Sequence, residues 1–258
     1  MPSPLEPIAA TGERTVPGLP REEYWFARHE IAYRWVANRR DAAGHRVVVD
    51  AGAGEGYGTA MLAPAVALEY DGPVCQHLRS RYPDVPVARA NLAALPVRTH
   101  SVDAIVCLQV VEHLWDLAGF LTDCRRVLRP GGELVITTPQ RLTFSPGLGR
   151  GEKPMNPFHV EEFDAEQLDV LLHMAGFDTV EMRGIHHGAR IAAWERVHGS
   201  LIGAQVAAAI SNDWSDDLSD FVTTITADDF SVDPEPIPAD DPRMAKAQDL
   251  LAIASWSE

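Results

Sequence analysis

The sequence predicts an α/β fold, an open and mostly parallel sheet with helices on both faces. Three observations lead there. Between residues 47 and 139, short runs rich in Val, Ile, Leu and Ala alternate with stretches of helical character, as successive βα units require. The first run, VVVD at residues 47–50, breaks into glycines at positions 52, 54 and 56 and then resumes as a helix. The second run, VAL at residues 66–68, ends in Glu69, about 20 residues past the first, where a Rossmann-like nucleotide-binding sheet keeps an acid for ribose hydroxyls.

Taken in order, residues 1–10 are rich in proline and should fray. TGERTVPG at residues 11–18 leads into a helix expected over residues 21–40, with Tyr24, Ile31, Trp35 and Val36 on its apolar face. Residues 1–40 are therefore expected to form an N-terminal cap segment and helix. The core should occupy residues 41–188. Its glycine turn, Gly52, Gly54 and Gly56, removes Cβ atoms where backbone must approach a ligand. A short helix follows at residues 59–64, then strands at 66–69, 85–88, 101–108 and 133–138. Residues 141–163, RLTFSPGLGRGEKPMNPFHVEEF, carry too many glycines and prolines for regular structure and leave the sheet at its carboxyl edge, which suits an acceptor loop. An amphipathic helix at residues 165–175, with Leu168, Leu171 and Leu172 inward, precedes a sixth strand at 177–184. The seventh strand is expected at residues 249–254, within a last segment 249–258.

Between the last two strands lie about 60 residues, too many for a structureless loop. Residues 189–248 should form a helical insertion, including one helix over 191–209, placed to act as an acceptor lid; its acidic, proline-containing tract 228–242 reads as loop. His186, His187, Arg190, Trp194, Glu195 and His198 cluster at its start, a mixture of aromatic and hydrogen-bonding groups that suits a sugar or, equally, the packing of an added helix.

Composition narrows the function. The chain has 258 residues, 46% of them hydrophobic, enough for one α/β domain with additions. A net charge of −15 without a basic run argues against nucleic-acid partners and anionic membranes, so the acceptor should be neutral or small. No stretch approaches about 18 consecutive apolar residues and no signal pattern opens the chain, so a soluble, cytoplasmic protein is expected. Cys75, Cys107 and Cys124 lack metal or disulfide spacing and read as buried or half-buried thiols. Oligomeric state is not legible.

The succession VVVDAGAGEGYG, ALEYD, ANLAALPV, SVDAIVCLQVVEHL and VLRPGGELVITTP resembles the class I S-adenosylmethionine-dependent methyltransferases, with a seven-stranded sheet. That resemblance assigns Asp50, Gly52, Gly54 and Gly56 to the methionine part of S-adenosylmethionine and Glu69 to its ribose. It places Tyr70 on the adenine face, Asn91 and Leu92 at the adenine edge, and Gln109 along the pocket. Asn91 stands where many relatives carry Asp. TGER, EEYWFARH, VEHLWD, TFSPG, NPFH and GIHHGARI further resemble actinobacterial sugar O-methyltransferases of the methylglucose-lipopolysaccharide type, which implies a glycan or oligosaccharide acceptor, such as the 6-OH of an α-1,4-glucan. A methyltransferase of a small neutral metabolite and a non-catalytic S-adenosylmethionine-binding subunit are the alternatives.

Methyl transfer to a hydroxyl requires a base near the methyl group, and the candidates are Glu112, His113 and His159. Some ubiquinone-pathway and small-RNA methyltransferases carry E-x-x-E-H and a later His that bind a divalent metal. The corresponding residues here are Gln109, Glu112, His113 and His159, so Mg²⁺ or Mn²⁺ is implied with one carboxylate missing. A plainer reading has Glu112 and His113 cap the helix that follows.

Overall fold

The computed structural model describes residues 14–258, so residues 1–10, expected to fray, and most of TGER lie outside the described residues. Eight strands form one mixed sheet: β1 Val48–Ala51, β2 Val66–Glu69, β3 Val87–Arg89, β4 Val102–Leu108, β5 Leu128–Pro139, β6 Thr179–His187, β7 Phe230–Val232 and β8 Asp249–Ser255. Their order is β3-β2-β1-β4-β5-β8-β6-β7. The first five strands are mutually parallel, whereas β8 runs antiparallel to both β5 and β6. Strand order reverses between β1 and β4, and open α/β sheets bind ligands at such a point, beyond the strands' carboxyl ends.

The expected seven strands become eight. The addition is β7, inside the tract expected to be loop, where Phe230, Ser231 and Val232 pair antiparallel with the end of β6. Three residues between acidic turns leave no alternation to read, so only pairing with an existing edge makes them a strand.

Strands β4, β5 and β8 are apolar on both sides. Ile105, Cys107, Leu134, Ile136, Leu250, Ala252 and Ala254 enter one core, while the alternating Ala104, Val106, Leu108, Val135, Leu251 and Ile253 enter the other. Each face therefore needs its own helical cover. The first is covered by α4 Leu117–Val127 and α6 Ala165–Met174, through Phe120, Cys124, Leu168 and Leu172. The second is covered by α1 Glu23–Ala43, through Tyr24, Tyr33 and Val36, and by the insertion. The helix expected as a cap thus lies on the sheet itself and reaches the carboxyl edge through Arg28, on Asp249, and Tyr33, on Asp50.

Two short stretches complete the core, α2 Tyr57–Met61 after the glycine turn and α5 Arg141–Phe144 after β5. Helix α3, Gly72–Arg81, was not expected. Only Val74, Cys75 and Leu78 of it are buried, too sparse a stripe to announce a helix. The insertion holds α7 Ala189–His198, α8 Leu201–Ser211 and α9 Asp216–Thr223. The single helix expected over 191–209 breaks at Gly199, with φ +84°, and restarts where the Ser200 side chain accepts from Gly203 N–H. All three cysteines are buried free thiols. Among the described residues no helix is long and apolar enough to cross a membrane.

Candidate active site

The glycine turn is shaped by contact. A Cβ on Gly52 (φ +89°) would lie 2.6 Å from Val110 Cγ2, and one on Gly56 (φ +97°) would lie 2.6 Å from Leu78. Gly54 differs. Its φ is +54°, nothing stands within 4 Å of its Cβ position, and its N–H donates to Glu69 Oε2 at 2.9 Å. Backbone facing open space next to a fixed carboxylate is what a nucleoside cofactor needs. The other Glu69 oxygen accepts from Asp71 N–H at 2.9 Å, and each oxygen keeps a lone pair for a hydroxyl. Tyr70, beside it, is 67% exposed, with the Arg89 guanidinium 6.0 Å from its ring centroid.

Asp50 closes β1 and is fully buried. Its carboxylate accepts from Thr59 Oγ1 at 2.5 Å and from the Tyr33 hydroxyl at 3.3 and 3.4 Å. Burial outweighs these bonds and pushes the Asp50 carboxyl up to about 7.

The two residues expected at the adenine edge differ in exposure. The Leu92 side chain belongs to the core on the α4 face, which leaves only its backbone for the cofactor. Asn91 is exposed and its Oδ1 already accepts from Ala93 N–H at 3.0 Å. Above this region the chain before α1 folds over. Arg14 lies 3.8 Å from Asp71, and Thr15 Oγ1 is 2.8 Å from the Tyr57 hydroxyl and 3.2 Å from His29 Nδ1.

Gln109 follows β4 in a left-handed conformation, φ +56°. Its amide is tied into a buried network instead of lining an open pocket. Arg28 donates to its Oε1 at 2.6 Å, while its Nε2 donates to Asp249 at 3.1 Å and to Thr137 Oγ1 at 3.2 Å. Arg28 and Asp249 are themselves joined by two bonds of 2.6 and 2.8 Å. Burial opposes the guanidinium's charge, and the Asp249 carboxylate more than offsets it.

Glu112, His113 and His159 do come together, with ligand atoms all within 4.8 Å of one another. Glu112 and His113 lie in a 3-10 turn, Val111–His113, and the two imidazole centroids are 4.9 Å apart. The helix-capping reading fails, because the side chain that caps α4 is Asp116, accepting from Gly119 N–H. Glu112 instead turns inward. Its Oε2 accepts from Thr138 Oγ1 at 3.1 Å, and its backbone carbonyl accepts from Val160 N–H at 2.7 Å, which pins the loop bearing His159. Burial pushes the Glu112 carboxyl up, against the pull of both imidazoles. His113 Nδ1 sits 3.2 Å from the Phe158 carbonyl and so donates to it, which makes Nε2 the lone-pair nitrogen. His159 Nδ1 lies 2.6 Å from Glu162 Oε1.

Glu162 is the residue the sequence did not disclose as part of the site. It is 2% exposed, and its second oxygen has no hydrogen-bond partner among the described residues. An imidazole backed by a buried carboxylate is the usual arrangement for a general base. Position i+3 from His159, within HVEEF, was the available signal.

The family model described as methyltransferase domain matches residues 49–136. A protein of Mycolicibacterium smegmatis named a probable S-adenosylmethionine-dependent methyltransferase is 45% identical over 253 residues, covering 96% of this chain and 95% of its own. The chain belongs to the S-adenosylmethionine-dependent methyltransferases. A Thermotoga maritima S-adenosylmethionine-dependent methyltransferase superposes with a TM-score of 0.60 at 17% identity, over 90% of this chain and 93% of that one, and shares the fold. A 47-residue segment is 51% identical to the human mitochondrial ubiquinone biosynthesis O-methyltransferase, covering 18% of this chain and 13% of that protein.

In this methyltransferase the residues of the insertion cluster pair with one another and with their neighbours. His187 Nδ1 is 2.9 Å from Glu195 and its Nε2 is 2.8 Å from the Tyr24 hydroxyl. His186 lies 3.1 Å from Asp233, Arg190 forks onto Asp229, and Trp194 stacks with His198 and Phe221.

Proposed function

We propose that the protein transfers a methyl group from S-adenosylmethionine to a hydroxyl of a neutral sugar in a glycan or oligosaccharide. The convergence of Glu112, His113 and His159, with Glu162 behind His159, carries this reading. Asp50 and the glycine turn would hold the methionine part of the donor, Glu69 its ribose, and Tyr70 its adenine. The acceptor hydroxyl gives its proton to an imidazole as its oxygen attacks the methyl carbon in line. The carbon–oxygen bond forms, the carbon–sulfur bond breaks, and S-adenosylhomocysteine leaves. Trp115, 90% exposed two residues after His113, and Phe158, 56% exposed next to His159, would offer apolar faces of the kind a pyranose ring packs on. Together with the sequence resemblance to sugar O-methyltransferases, these faces favour a glycan over a small neutral metabolite.

Incubation with S-adenosylmethionine and a panel of α-1,4-glucan and mannan oligosaccharides, with mass spectrometry of the products, tests the reading. Sugar-dependent S-adenosylhomocysteine and a 14-Da gain in the sugar are expected. S-adenosylmethionine binding without product from any sugar would support the alternatives of another acceptor or a non-catalytic subunit.

A second reading is favoured by the spacing of the same donor atoms. Glu112, His113 and His159 could hold a divalent cation, whose charge would make an acceptor hydroxyl more acidic. Gln109 does not fit as a fourth ligand, since its amide oxygen already accepts from a guanidinium. Two imidazoles with one carboxylate suit Mn²⁺ better than Mg²⁺. Loss of activity on chelation, restored by added Mn²⁺ or Mg²⁺, would establish this reading, and indifference to chelation would remove it.

A further inference from the structure

A concave feature lies where the turn entering α1 meets α8, lined by none of the residues of the catalytic cluster. It is a cleft of about 280 Å³, close to the lower end of small-molecule sites at about 300–1,000 Å³ and large enough for one monosaccharide ring. Trp25, Trp214, Arg21, Glu22 and Gln205 line it.

These side chains form an unusual set. Both indoles are half-buried, and the Arg21 guanidinium sits 5.1 Å from the Trp214 ring centroid. Arg21 holds a left-handed backbone, φ +71°, uncommon outside glycine and found where surrounding structure has a use for it. Gln205 is 2% exposed, its Nε2 makes one long contact of 3.4 Å to the Leu201 carbonyl, and its Oε1 has no hydrogen-bond partner among the described residues. That oxygen is sealed from solvent, so Gln205 lines the cleft through its other atoms. Glu22 is half-buried there, and burial together with neighbouring Glu23 raises its carboxyl.

The ligand chemistry follows from the inventory. Two indole faces want flat apolar surface, Glu22 wants hydroxyl donors, and Arg21 offers donors to hydroxyl oxygens. A phosphate or carboxylate would meet Glu22, and a hydrocarbon chain would leave the polar groups unpaired. A neutral pyranose has apolar ring faces and hydroxyls that donate and accept around its edge.

The cleft is also connected to the catalytic side. Trp25 faces Phe144, in the segment after β5, at 6.4 Å between ring centroids. Arg28, a turn along α1 from Trp25, lies over both rings, 5.5 Å from Trp25 and 4.7 Å from Phe144, and donates to Gln109 at the end of β4.

We propose that this cleft is a distal saccharide subsite, holding a sugar unit of the acceptor other than the one methylated. It rests on the sugar-acceptor reading above and adds to it a preference for chains over single sugars. The test uses the full chain with α-1,4-glucan oligosaccharides of increasing length, read by tryptophan fluorescence without donor and by initial rates with S-adenosylmethionine. Wild type, Trp214→Ala and Glu22→Ala are compared, with Trp214→Phe as a milder change should the Trp214→Ala variant not fold. Long acceptors should quench the fluorescence and show a KM lower than short ones. Each truncation should raise KM for long acceptors about tenfold, the cost of losing one well-packed anchor, with kcat unchanged and short acceptors unaffected. Methylation of long and short sugars alike, indifferent to all the variants, would overturn the subsite and leave the sugar reading standing. Quenching that depends on Trp214 without methylation of any sugar would keep the subsite and sink the sugar reading. Neither quenching nor methylation would sink both.

Discussion

Replacing Asp50 by Asn should stabilise the protein without cofactor while weakening its hold on S-adenosylmethionine. The carboxyl has an ordinary value of 3.8 and about 7 in the fold, because burial penalises its charge. The folded state therefore binds this proton more tightly than the unfolded state. Its contribution to stability is fully present below about 3.8, falls as pH rises, and is gone above about 7. The difference between the two values corresponds to about 4 kcal/mol. An amide matches the two hydroxyl donors Thr59 and Tyr33 less well than a carboxylate, at a cost of about 1 kcal/mol. The variant should thus gain about 3 kcal/mol over wild type at pH 8 and nothing, or a small loss, at pH 4. Urea unfolding of both proteins without cofactor at the two pH values measures this, and every other titrating group cancels in the comparison. Calorimetric titration at pH 8 should show weaker cofactor binding in the variant, because the charge set against the donor's cationic methionine part is gone. A stability gap that does not change with pH would refute the reasoning, since Asp50 would then ionise as an ordinary surface acid does.

Other expectations follow from the same geometry. His159→Ala should lower kcat by about 10²–10⁴-fold with S-adenosylmethionine affinity preserved, and Glu162→Gln should lower it less; activity of His159→Ala within a few-fold of wild type would remove His159 from the reaction. Gly54→Ala should weaken cofactor binding with little effect on unfolding, because its Cβ would enter open space, whereas Gly52→Ala should lower stability through its clash with Val110. Arg28→Met should cost about 3–5 kcal/mol in urea unfolding by leaving Asp249 charged and buried without its partner, and Asp249→Asn added to it should recover part of that loss.

Sequence reading succeeded where chemistry and local pattern coincide. Val48, Val49 and Asp50, the three glycines and Glu69 occupy consecutive positions whose residue types admit few other structures, and they fold as expected. The approach of Glu112, His113 and His159 was expected from resemblance, and the structure adds its mechanism: the Glu112 carbonyl holds the backbone of the His159 loop through Val160. What escaped was long-range pairing. Arg28 reads as one cation on an amphipathic helix, and its partner stands 221 positions away. Glu162 sits between Glu161 and Phe163, and only burial separates its role from that of Glu161, which reaches Gln167 instead. Likewise β7 exists because β6 offers an edge to it.

Position 109 shows how such a network constrains chemistry next door. The Arg28–Asp249 pair is close to neutral as a unit, and a side chain bridging it must accept from the guanidinium and donate to the carboxylate. An amide does both, with Oε1 on Arg28 and Nε2 on Asp249. A glutamate in its place could not donate when ionised and would set a second carboxylate about 3.1 Å from Asp249 at a cost that burial magnifies. The residue that in resembling enzymes carries a metal-binding carboxylate is here committed to joining α1, β4 and β8. The neutral side chain at 109 therefore follows from the buried ion pair beside it, and the reactive end of the pocket is left with two imidazoles, one of them backed by Glu162, and the raised carboxyl of Glu112. Without a cation such a set can take up a hydroxyl proton, whereas a cation held by the same atoms would act instead by making the hydroxyl more acidic.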